Sequence, residues 1–284
     1  MGTTWRIFHS GVLAQAQADQ VAAFVEADEQ RWSRFRETSE LSKLNRCAGI
    51  PVEASVETIE LLLEADRWQV ETGGLFAPLV GDAMRAWGYE VSKFERAPGT
   101  AVSPGPLEIR HDELVFDSSR RIVLIPAGTR LDLGGIAKTW AARRAAEYVK
   151  TLTDDPVLLV DAGGDMVAAR GDHEIEVEDP GGPDQPPMAI VRVREGQGIA
   201  TSGWSRRHWT NADGQEARHV LDPRTGTPAE PAQATVISDQ PVRAEVMAKA
   251  LILEPALVDT IGEPAVRSGP DGVRMNERWK EVVV

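Results

Sequence analysis

The stretch LDLGGIAKTW, residues 131–140, changes backbone character twice within a few residues. An apolar run carries Asp132, passes Gly134 and Gly135, and enters a segment in which Ile136, Trp140, Ala141, Ala145, Tyr148 and Val149 share one helical face. The spacing predicts a helix from near Gly135 to about residue 150. The first turn of a helix leaves backbone N–H groups unpaired, and glycines let a ligand approach them without a Cβ in the way. The pattern therefore reads as an anion site, with Lys138 adding a point charge suited to phosphate. Neither GxxxxGK[ST] nor GxGxxG is present. A tight turn followed by a solvated lysine accounts for these residues equally well on their own.

Outward from this stretch, helical periodicity recurs at 15–32, with Val21, Phe24, Val25 and Trp32 on one side. It appears again at 55–72, with Val56, Ile59, Leu62, Leu63 and Val70 as the apolar stripe and Gly73 and Gly74 as the stop, and at 243–253. The polar segment RFRETSELSKLN (34–45) lies between the first two, and GLFAPLVGDAMRAWG (74–88) reads as a loop leading into a short helix. Short strands are expected at LEIR (107–110), ELVFD (113–117), RIVLI (121–125), VLLVDAGGD (157–165), HEIEVED (173–179), MAIVRVRE (188–195) and ATVISD (234–239). Pro/Gly-rich connections fall at 96–106 and 180–187. Strands in hairpin-like runs with helices between them predict an α+β fold, mixed or antiparallel sheets with packed helices, over a doubly wound sheet.

The chain has 284 residues, 42% of them hydrophobic, and a formal net charge of −13. That charge repels polyanions, so nucleic acid and anionic membrane are not expected partners. No window reaches the roughly 18 apolar residues of a membrane span, and the opening MGTTWRIFHSG lacks the layout of a signal peptide. A cytoplasmic location is the expectation. Cys47 is the only cysteine, which precludes an internal disulfide or a cysteine cluster. His9, His111, His173 and His208 show no metal spacing, and Trp140, Trp204 and Trp209 read as packing residues.

Further loops combine glycine with acids or hydroxyls: VDAGGD (160–165), GIATSGW (198–204) and HVLDPRTGTP (219–228). Taken in order with MGTTW (1–5), RFRETSELSKLN (34–45), GLFAPLVG (74–81) and LDLGGIAK (131–138), they resemble the FAD:protein FMN transferases of the ApbE family. The resemblance spans nearly the whole chain and implies a single ApbE-like, T-fold-related α+β domain over residues 1–284. It implies an enzyme that splits FAD at its pyrophosphate, moves FMN onto a Thr or Ser hydroxyl of an acceptor protein and releases AMP. A non-catalytic FAD-binding protein and a pyrophosphatase giving FMN and AMP are the alternatives.

By that resemblance Met1, Phe35, Leu75, Phe76 and Ala77 line the FAD pocket, Phe35 and Phe76 offering aromatic surface. Asp132 and Lys138 contact the nucleotide, and Leu221 closes over it. Thr201 and Ser202 donate to phosphate oxygens, and His219 sits closest to the chemistry as proton acceptor or orienting donor. Phosphoryl transfer asks mainly for alignment and positive charge, which suits such a set. The family pattern also implies magnesium (Mg2+), held by the Gly135 carbonyl together with an Asp and a Thr or Asp on a later helix. In RAEVMAKALIL the Asp position is Glu245 and the Thr position is Lys249. Either Lys249 replaces the metal with its ammonium, or magnesium binds with water in the missing position, or the two form an ordinary i, i+4 pair on an exposed face. Ala77 and Leu79 are a second departure, standing where relatives commonly carry Asp and Thr.

Overall fold

The computed structural model describes residues 2–11, 13–89, 114–205, 208–211 and 214–284. Met1, the expected strand at 107–110, the connection at 96–106 and His111 lie outside these residues. The chain begins with β1 (Trp5–His9), α1 (Gln15–Trp32), α2 (Glu40–Arg46), β2 (Val52–Glu53), α3 (Val56–Glu71) and α4 (Gly81–Ala86), followed by β3 (Val115–Asp117) and β4 (Ile122–Leu124). Then come α5 (Ala137–Leu152), β5 (Leu158–Ala162), β6 (Met166–Arg170), β7 (His173–Val177), β8 (Ala189–Val193) and β9 (Gly198–Gly203). Short strands β10 (His208–Thr210), β11 (Glu216–Arg218), β12 (Leu221–Asp222) and β13 (Thr227–Pro228) precede β14 (Gln233–Ser238) and α6 (Pro241–Leu253). After a 3-10 turn at Pro255–Asp259, the chain ends with β15 (Ala265–Gly269), β16 (Gly272–Met275) and α7 (Glu277–Val282). Every pair of these strands that is hydrogen-bonded runs antiparallel, so the fold is α+β.

Two compact units are present. The first comprises Met1–Gly2, Ala27–Ala137 and Arg207–Ala229; the second comprises Thr3–Glu26, Lys138–Arg206 and Glu230–Val284. The chain passes from one to the other between Ala137 and Lys138, inside the glycine-containing stretch.

The second unit is built on a seven-stranded sheet in the order β1-β5-β6-β9-β14-β15-β16. Alternation along β5 and β6 sends Leu158, Val160, Ala162, Val167 and Ala169 to one face, where Val21 of α1 and Ala142, Ala145, Ala146 and Val149 of α5 cover them. Leu159, Ala168, Ile199, Ile237 and Val266 point the other way, against the β7–β8 hairpin and Trp279 of α7. α6 packs on β9 and β14. With both faces covered, β14 is buried at every position, which is why ATVIS reads as a continuous run rather than an alternating one.

In the first unit, α2 starts at Ser39, whose hydroxyl accepts from the Ser42 amide at 3.0 Å. Glu40 then accepts from the amide and hydroxyl of Ser55, the N-cap of α3. The two helix starts are thereby tied together. α2 falls in the segment that reads in sequence only as polar, because its buried face is just Leu41, Leu44 and Asn45.

The apolar stripe of α3 is corrected. Thr58, Ile59, Leu61, Leu62, Ala65 and Trp68 are buried, whereas Val56, Leu63 and Val70 are exposed. Two adjacent leucines satisfy either phase of a 3.6 period, and the stripe belongs to the one that also buries Ala65 and Trp68. Gly73 and Gly74 do stop the helix, with φ of +59° and +83° and the Gly74 amide donating back to the Gln69 carbonyl at 2.9 Å.

Candidate functional site

In the first unit the quoted motifs are drawn together by their backbones. The Asp132 amide donates to the Pro78 carbonyl at 2.8 Å and the Gly81 amide to the Arg130 carbonyl at 3.0 Å, so GLFAPLVG lies along the residues entering α5. Asn45 of α2 clamps the same segment from its other side, donating to the Leu131 carbonyl at 3.0 Å and accepting from the Leu131 amide at 2.8 Å. Asp132 is thus held at its own amide and at Leu131, and it is buried. One of its carboxylate oxygens accepts from the Gly134 amide at 2.7 Å, and the other pairs with Arg34.

Arg34 was not singled out by sequence, yet it organises an aromatic wall. Its guanidinium lies 4.1 Å from the Tyr89 ring centre and 4.7 Å from that of Phe35. On Tyr89 stacks Trp209, 5.0 Å away with planes 17° apart, and the Trp209 indole N–H donates to the Trp87 carbonyl at 2.7 Å. Phe35 meets Tyr89 edge-on at 6.0 Å. Arg34 Nη2 is buried with no hydrogen-bond partner among the described residues. The signal in sequence was an arginine beside an aromatic in RFRE, uninformative until Tyr89 and Trp209 arrive from distant segments.

Phe76, Ala77 and Leu79 are buried, and Leu75 is half-buried. Phe76 is 5% exposed, so it contributes to the packed interior rather than presenting an open ring. His219 stands half-buried on the short link between β11 and β12. Leu221, two residues on, packs with Ala83, Met84, Trp87 and Ala217, and the Trp87 indole N–H donates to the Gly226 carbonyl at 2.8 Å. HVLDPRTGTP is therefore carried by α4.

The second unit holds a buried charge cluster. Lys138, in the first turn of α5, is 8% exposed; its ammonium pairs with Asp165, just after the DAGG turn, and lies 2.9 Å from Glu245 Oε1. Lys249, one turn along α6, reaches the same Oε1 at 3.1 Å. Glu245 Oε2 accepts from the Thr139 amide at 3.0 Å and hydroxyl at 2.7 Å. Burial works against the charge on Glu245, but the two ammonium groups and these hydrogen bonds outweigh it and hold the carboxyl well below the usual range. Glu245 is 1% exposed, so the pair is not the exposed i, i+4 contact that its spacing allows.

Four amides at the glycine turn are already engaged: Gly134 donates to Asp132, Ile136 and Ala137 to the Leu133 carbonyl, and Thr139 to Glu245. Lys138 is likewise not a solvated cation but a buried one set between carboxylates. Thr201 and Ser202 do not act side by side, because they are neighbours on β9 and adjacent strand residues face opposite ways. Thr201 bonds Thr235 across the ladder, hydroxyl to hydroxyl at 2.9 Å, while the Ser202 hydroxyl is buried without a hydrogen-bond partner among the described residues. At Gly163 φ is +75° and a Cβ would collide with Thr3, so MGTTW and DAGGD meet where only glycine fits.

Among the described residues no helix is long and apolar enough to cross a membrane. Nor do three His, Cys, Asp or Glu side chains gather among them to hold a metal ion.

The ApbE family model matches residues 1–258. A FAD:protein FMN transferase of Klebsiella pneumoniae is 29% identical over 246 residues, spanning 80% of this chain and 68% of the relative. One of Treponema pallidum is 28% identical over 246 residues, spanning 79% and 67%. Among solved structures, the ApbE protein of Thermotoga maritima superposes with a TM-score of 0.85 at 24% identity, covering 99% of this chain and 96% of its own. The apo flavinyl transferase ApbE of Pseudomonas stutzeri gives 0.76 at 22% identity, covering 99% and 94%. By sequence along most of its length, the chain belongs to the ApbE family.

Proposed function

We propose that this chain is a FAD:protein FMN transferase. The acceptor's Thr or Ser oxygen attacks the FMN phosphorus of FAD, the bond from that phosphorus to the bridging oxygen breaks, and AMP leaves carrying that oxygen. The hydroxyl proton passes to a base, the role assigned to His219 on the link before Leu221. The observation that carries the reading is the family match over residues 1–258, joined by relatives named for this activity.

The residues present suit a flavin nucleotide. In the first unit Arg34 Nη2 is buried with no hydrogen-bond partner among the described residues, and buried donors are rarely left so without a ligand or water to receive them. In this reading Arg34 holds Asp132 and presents an N–H to the nucleotide, with Phe35, Leu75, Ala77 and Leu221 as apolar lining. Lys138 is a positioning residue that fixes Asp165 and Glu245.

The test combines purified protein, FAD and an acceptor carrying an Asp-Gly-x-Thr motif. A covalently fluorescent acceptor and stoichiometric AMP are expected. FAD binding without AMP, with or without magnesium, favours the binding-protein alternative; AMP without labelled acceptor favours the pyrophosphatase.

A further inference from the structure

The family pattern implies magnesium at Glu245, and the residues here do not fit it. Magnesium demands near-octahedral oxygen ligation at about 2.0–2.1 Å. Glu245 Oε1 already receives the ammonium groups of Lys138 at 2.9 Å and Lys249 at 3.1 Å, and Oε2 receives the amide and hydroxyl of Thr139. Among the described residues the Lys138 ammonium meets both Asp165 and Glu245, and that of Lys249 meets Glu245. A divalent ion entering here has to displace an ammonium and sit beside another, with like charges in a buried setting.

We infer that Lys249 takes the place of the divalent cation, so that Glu245 binds no metal and any nucleotide diphosphate held by this chain is held without one at that position. The inference rests on the flavin-nucleotide reading only for its second clause; the first concerns the ion pair alone. The longer reach of Glu compared with Asp belongs to the same device, since it lets one carboxylate cap α5 at Thr139 and still meet Lys249 on its own helix.

The test uses Mn2+ as a magnesium surrogate, followed by electron paramagnetic resonance with the purified full chain. Wild-type protein is expected to leave the free-ion signal undiminished, with or without FAD. The FAD dissociation constant, measured by flavin fluorescence, is expected to change less than about twofold when EDTA replaces magnesium. The double variant E245D/K249T, with fold checked by circular dichroism, is expected to take up Mn2+.

Stoichiometric Mn2+ binding by wild type, or FAD binding weakened more than about tenfold by EDTA, overturns the inference. So does a folded double variant that takes up none. If the double variant does not fold, the wild-type measurements decide alone. A wild type that binds neither FAD nor Mn2+ refutes the transferase reading and leaves the exclusion of metal standing.

Discussion

Replacing Glu245 with Gln tests whether the buried cluster is a structural ion network. The carboxylate is 1% exposed and engages Lys138, Lys249 and both donors of Thr139. Neutralising it removes the carboxylate that both ammonium groups meet, and the amide hydrogens of Gln point at donors. Breaking a buried pair by removing one partner costs about 3–5 kcal/mol, a large share of the roughly 5–15 kcal/mol that stabilises an ordinary domain. Urea unfolding should show that loss as a lowered midpoint, and hydrogen exchange should show faster exchange of the Thr139 amide. The double variant E245Q/K249M also removes one of those ammonium groups, and about 1–3 kcal/mol should return relative to E245Q alone. A midpoint within about 1 kcal/mol of wild type, as for a screened surface pair, with no recovery in the double variant, would refute the reasoning.

Replacing His219 with Ala should lower the rate of AMP release by about 10²–10⁴-fold, the worth of a positioned general base, while flavin fluorescence titration shows FAD affinity retained; unchanged turnover removes the histidine from the mechanism. Asn45→Ala strands the Leu131 amide and carbonyl, and at about 1–3 kcal/mol for each buried group left unsatisfied, urea unfolding should report a loss of roughly 2–6 kcal/mol; a neutral result means that the segment before α5 is not clamped there. The Val157 amide, against the effect of burial and together with Ser10 and Gly11, pulls Asp155 from 3.8 down to about 2. A depressed folded value gives stability that is present above the unfolded one and lost as pH falls from about 4 toward 2, so Asp155→Asn should flatten the acid limb of Tm against pH in that window. An unaltered limb contradicts the assignment.

Local rules reached α3 and α5, whose start, stop or buried face is written in chemistry, and missed α2 and α7. Ser55 begins α3 and Gly73 with Gly74 ends it; the face of α5 follows from its alanines. They reached the β7–β8 hairpin through its alternation. They failed where burial is set by partners far along the chain. GIATSG, rich in small residues and flanked by glycine, reads as a turn, yet it is the strand β9 between β6 and β14; residues that look like loop formers are what a strand covered by α6 has room for, with Gly198 lying against Pro241. Arg34 shows the same limit at the site. Nothing adjacent to it in sequence announces Tyr89 or Trp209, and the wall exists only once all three meet.

Glu245 and Lys249 mark that limit most sharply, because an i, i+4 pair has the same spacing on an exposed face as in a core. What distinguishes the cases is a lysine and a threonine at the start of α5, 106 residues before Glu245 in the case of Thr139. Those partners also make the two departures from the family pattern one event in physical terms. Glu245 without Lys249 would lose one of the two ammonium groups that its carboxylate meets, and Lys249 without Glu245 would bury a second cation beside Lys138. Each residue is tolerable here because the other is present, so neither is expected to be replaceable alone at low cost.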